Sequence, residues 1–110
     1  MAIESSEFAS LRIKLATQSP ALSAQEREQG TNWALMQMNY WNLAATSFRN
    51  GLLTESEYET QLAAALRIAR LYPGMFQLLV KVVDEMNVAP ENHPIYAWLR
   101  ERVELAQAVE

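Results

Sequence analysis

Apolar positions along the chain recur at helical spacing in five blocks. Phe8, Leu11 and Leu15 predict a first helix over about residues 6–17, with Arg12 and Lys14 facing water. Ser19-Pro20 ends it, because the residue before a proline avoids the helical region. Ser23 and Glu26 then stand at the spacing of a capping box, in which each side chain bonds the other's backbone N–H. They open a second helix that runs to Arg49 on two adjacent apolar rows. One row is Trp33, Met36, Tyr40, Leu43 and Ser47; the other is Ala34, Met38, Trp41, Ala45 and Phe48. A stripe this wide predicts a long central helix, about residues 24–49, packed on more than one side. Gly30, about 1 kcal/mol less favourable than Ala in a helix, predicts a bend or a frayed first turn.

A helix end and a helix start then stand back to back. Asn50-Gly51 supplies the left-handed residue that commonly closes a helix. Thr54 and Glu57 form a second capping box, with Leu53 and Tyr58 placed as a hydrophobic staple. Asn50, Gly51, Thr54 and Glu57 are therefore read as a structural hinge. The third helix follows over about residues 55–71, with Tyr58, Leu62, Ala65, Leu66 and Ala69 inward, and its alanines permit close helix approach.

Tyr72-Pro73-Gly74 breaks the pattern, and Pro73 suits the first turn of a fourth helix, where its missing N–H does no harm. That helix, over about residues 74–86, is apolar on most sides and is expected to be the most buried after the second. Residues 87–93 read as a loop. Pro94 starts a fifth helix with Ile95, Trp98, Leu99, Val103, Ala106 and Val109 along it and Glu101 and Glu104 outward. The expected architecture is an all-α compact bundle of about five helices in one domain, residues 1–110.

Composition narrows the picture. Half of the 110 residues are apolar, enough for a core without staples, and the absence of Cys excludes disulfides and thiolate metal sites. The net charge of −4 is dispersed, and no Lys/Arg stripe stands out, so nucleic acid is not expected as a partner. The longest apolar run, residues 75–83, is interrupted by Gln77 and Lys81 and is far too short for a membrane span. The N-terminus lacks the basic and apolar regions of a signal peptide, and a cytoplasmic location is expected.

Candidate chemistry is sparse. His93 is the only histidine, and its place before Pro94 fits a loop or helix-capping role better than catalysis, which would need an orienting partner or a nucleophile. The glutamates include no Glu-x-x-His pair of the kind a di-metal bundle uses, and Glu26 and Glu57 already serve as caps. No glycine lies in a phosphate-binding frame. Neither a catalytic residue, a metal nor a cofactor is expected. Arg49, Arg67 and Arg70 read as solvated charges, two of them placed favourably near helix C-termini.

Over about residues 19–80 the punctuation resembles an uncharacterised bacterial all-helical domain family. The matching residues are Leu22 with Glu26-Arg27, then Tyr40-Trp41, then Arg49-Asn50-Gly51-Leu52-Leu53 as an R-x-G-L-L hinge, then Pro73-Gly74. The chain departs from it after Pro73-Gly74, where Met75-Phe76-Gln77-Leu78-Leu79 stands in place of an R-x-W-W pattern. The resemblance implies an all-helical fold and, in some members, an upstream membrane segment. It implies no activity and no site residues.

These readings lead to a non-enzymatic protein–protein interaction domain. It is expected to form a homodimer or to act as an inhibitor or adaptor of a larger complex. Trp33, Met36, Tyr40, Trp41 and Trp98 are the candidate contact residues, because large exposed apolar patches mark interfaces and aromatic side chains anchor them. The alternative is a small-molecule or lipid-binding bundle, with Met36, Met38, Trp41, Met75, Phe76 and Met86 around an internal cavity.

Overall fold

The computed structural model describes the backbone of residues 2–109 and the side chains of residues 8–89 and 91–103. Among these residues the chain forms five α-helices: α1 (Ala2–Leu15), α2 (Ala24–Arg49), α3 (Glu55–Leu71), α4 (Pro73–Met86) and α5 (Pro94–Val109). A 3-10 turn at Pro90–Asn92 lies within the stretch read as loop, and no strand is present among the described residues. The all-α bundle predicted from apolar spacing is the fold the chain adopts. No helix is long and apolar enough to cross a membrane among the described residues.

α2 is the central element and touches each of the other four helices. Both capping boxes form. Ser23 N–H donates to Glu26 Oε1 at 2.9 Å and Glu26 N–H donates back to Ser23 Oγ at 3.1 Å. The Thr54–Glu57 pair repeats this at 2.8 and 3.1 Å. The core is built where the helices converge. Leu15, Ala34, Ala69, Met75, Leu79 and Leu99 are fully enclosed, and Trp41, Phe76 and Tyr96 fill the space between them.

The structure corrects several expectations. α1 begins at Ala2 and ends at Leu15, because residues 16–19 already turn towards α4. Phe8 is not a core residue: it is partly exposed and meets Trp33 edge-on at 5.6 Å between ring centroids. α2 runs unbroken through Gly30, which is buried where a Cβ would lie 2.7 Å from Leu78 Cδ1. That glycine therefore serves packing between α2 and α4 and marks neither a bend nor a frayed end. α4 is more enclosed than α2, with five of its fourteen residues buried against four of twenty-six. In α5, Tyr96 is buried beside Ile95, and the aromatic ring of Phe76 lies 6.0 Å away. The expected positions of Ala106 and Val109 inward and Glu104 outward lie outside the described side chains.

Candidate interaction site

The two apolar rows of α2 have different fates. Ala34, Met38 and Trp41 enter the core, whereas Met36, Tyr40 and Leu43 are 48%, 60% and 63% exposed. Four neighbouring helices cover one side of a long helix and leave part of a stripe this wide uncovered. α3 returns antiparallel beside α2, and two aromatic pairs fix its register. Trp33 meets Tyr72 edge-on at 5.0 Å at one end, and Phe48 lies flat on Tyr58 at 4.3 Å at the other.

Between these pairs runs a groove of about 430 Å³. Tyr40, Leu43 and Ala44 form its α2 wall, Ala64 and Ile68 its α3 wall, and Leu53 closes the corner end. Gln37, Ser47 and Gln61 contribute its polar atoms, and no charged residue lines it.

The five candidate contact residues separate on this map. Met36 and Tyr40 stand on the exposed row. Trp41 is 6% exposed and belongs to the core, so it is not a surface anchor; it only borders the bottom of the groove. Trp33 is half-buried between Phe8 and Tyr72. Trp98 is also half-buried, and the Arg102 guanidinium lies 4.0 Å over its ring. No tryptophan is an open aromatic on the groove face; Tyr40 takes that place. Leu43 lies on the row that Met36 and Tyr40 already marked, and that was the signal for it. Ile68 carried no comparable signal, because its exposure depends on how closely α3 approaches α2.

The hinge residues form one locally closed corner beside the groove. Gly51 has φ +78°, the left-handed conformation. Its N–H donates to Phe48 C=O at 3.0 Å and Leu52 N–H donates to Ser47 C=O at 2.8 Å, which is the Schellman pattern of helix closure. The Thr54 backbone N–H beside Glu57 holds that carboxyl below its ordinary value of 4.5. Glu26 is lowered likewise, first by its bond to Lys14, at 2.6 Å, and then by Ser23. Burial raises the Tyr58 hydroxyl.

A second, polar cleft of about 570 Å³ opens between α4 and α5. Val83, Val88 and Ala97 give it an apolar wall, and His93, Tyr96, Asp84 and Arg100 bring polar groups to it. Arg100 Nη1 donates to the Tyr96 hydroxyl at 3.1 Å and lies 3.7 Å from Asp84 Oδ1 across the cleft. His93 is half-buried, and its Nδ1 lies 2.8 Å from Asn42 Nδ2 on α2. The Asn42 Oδ1 is buried without a hydrogen-bond partner. Sequence neighbours gave His93 no orienting group; the fold supplies one from 51 residues away. An asparagine in mid-helix, where its propensity is poor, was the only sequence trace of that contact.

The residues suggested for an internal ligand cavity do not surround one space. Met38, Met75 and Phe76 are packed in the core, whereas Met36 and Met86 are half-exposed at the surface. No group of three His, Asp or Glu side chains placed to hold a metal occurs among the described residues. No protein-family model matches the sequence, and neither a curated protein nor a solved structure matches it.

Proposed function

We propose that the chain is a non-enzymatic protein–protein interaction domain that pairs with a second copy of itself through the α2–α3 face. The observation that carries this reading is the row Met36, Tyr40 and Leu43, half-exposed or more beside a groove with no charged lining. Contiguous apolar surface of this kind loses free energy in water and gains it on contact. A net charge of −4, dispersed over the chain, sets two copies against each other over most of their surface. An uncharged face is where that repulsion is least, and a two-fold contact sets the same patch against itself. Tyr40 is the natural anchor, combining a large ring with a hydroxyl that tolerates the wet rim.

The test is light scattering over a concentration series, with Tyr40→Glu and Leu43→Glu beside the wild type. A dimer is expected, weakened by about thirtyfold or more in either variant, as for a truncated anchor residue. Circular dichroism should be unchanged, because both side chains are mostly in solvent. A wild-type chain that is monomeric at every concentration would refute self-association.

A further inference from the structure

The α4–α5 cleft stands apart from the groove in lining and in chemistry, and it holds most of the polar side chains that the fold gathers from distant parts of the sequence. Its opposite charges face each other from two helices: Asp84 on α4 and Arg100 on α5, 3.7 Å apart. This is a loose ion pair, longer than the 2.7–2.9 Å of a tight charge-assisted hydrogen bond, and the Asp84 side chain is mostly in solvent. Such a pair presents one carboxylate and one guanidinium at about the spacing of the two charges on an α-amino acid.

The surrounding groups fit the same ligand. Val83, Val88 and Ala97 form an apolar wall within a cleft of about 570 Å³, inside the size range of small-molecule sites. Arg100 is steadied by the hydroxyl of the buried Tyr96. With Asn42 Nδ2 donating to His93 Nδ1, the ring proton sits on Nε2, which leaves His93 as a hydrogen-bond donor on the cleft side. Two donors of this kind, a guanidinium and an imidazole N–H, suit a carboxylate; Asp84, with Glu101 further along the lining, suits an ammonium.

From this arrangement we infer that the α4–α5 cleft binds a free α-amino acid with a bulky apolar side chain. The ligand carboxylate turns to Arg100 and His93, its ammonium to Asp84, and its side chain lies on Val83 and Val88. The ligand inserts into the Asp84–Arg100 pair, so each protein charge exchanges one partner for another and neither is stranded. The inference is independent of self-association, because no residue of the α2–α3 groove takes part.

The experiment is a titration of the ¹⁵N-labelled full chain, followed by amide shifts, with L-leucine and L-phenylalanine. Isopentylamine and 3-phenylpropionate serve as probes that keep one charge each. Saturable shifts confined to residues 83–101 are expected for the amino acids, with each one-charge probe about tenfold weaker or more, the loss of a hydrogen bond to a charged group. Arg100→Gln should weaken the amino acids to a similar degree. Ala97→Leu, which fills the cleft from a helical position and leaves the Asn42–His93 contact in place, should abolish binding in a folded chain. Arg27→Gln, remote from the cleft, should change nothing. No saturable shift in the wild type overturns the inference. So does one-charge binding as tight as that of the amino acids, or an Ala97→Leu chain that binds normally.

Discussion

Gly51 and Gly74 stand at the two ends of α3, each at a sharp change of chain direction, and they are glycines for different reasons. Gly51 sits at φ +78°, and a Cβ built there would meet nothing within 4 Å. Its requirement is conformational and arises within a few residues, between the end of α2 and the Thr54–Glu57 cap. Gly74 is in the first turn of α4, and a Cβ there would lie 2.7 Å from the Thr17 carbonyl oxygen and 2.9 Å from Pro20 Cγ. Its requirement is steric and comes from residues more than fifty positions away, in the turn that follows α1. A corner can thus be closed by its own sequence or by whatever packs upon it. The two kinds respond differently to substitution.

The largest effect is expected at the packed corner. Gly74→Ala should destabilise by about 1–3 kcal/mol, the usual cost of overpacking, even though alanine is the better helix former. Chemical denaturation measures it, and a neutral or stabilising result would show that the turn after α1 moves freely. At the local corner, Gly51→Val should cost about 1–2 kcal/mol through backbone strain alone. Gly51→Asn should cost much less, since asparagine tolerates the left-handed region. Equal losses for Val and Asn would mean that space, not φ, is limiting there, and the contrast with Gly74 would dissolve. Thr54→Ala removes the cap on the same corner and should cost about 1 kcal/mol.

The smallest effect concerns pH. The Glu57 carboxyl lies below its ordinary value of 4.5 in the folded chain, held there by the Thr54 N–H. A lowered folded value means that its contribution is complete above the unfolded value and disappears as pH falls through the folded one. Glu57→Gln should therefore be less stable than wild type near neutrality. The gap should close as pH falls through and below about 4.5, read from unfolding midpoints across a pH series. A gap that stays constant to low pH would assign the cap's strength to geometry without charge.

The groove and the polar cleft repeat the contrast between the two corners. Tyr40 and Leu43 could be placed on one row from spacing alone, yet nothing in that spacing said which row would be covered. Trp41 and Tyr40 are neighbours in sequence; one is enclosed and the other is in solvent. Only the approach of α3, α4 and α5 to opposite sides of α2 separates them. The cleft was less legible still, because Asn42 and His93 lie in different apolar blocks and neither is informative alone.

The sequence by itself determined the helices, their caps and the Gly51 corner, because those depend on interactions between residues at most five positions apart. Apolar period, Ser23–Glu26, Thr54–Glu57 and the Asn50-Gly51 stop are all of this kind. Only the tertiary structure decided that Gly30 and Gly74 make room for other segments, that α4 is enclosed more fully than α2, and that Tyr40 rather than a tryptophan stands open beside the groove. It also decided that His93 meets Asn42. These depend on which surfaces meet, and that is settled by the packing of all five helices together rather than by any one stretch of chain.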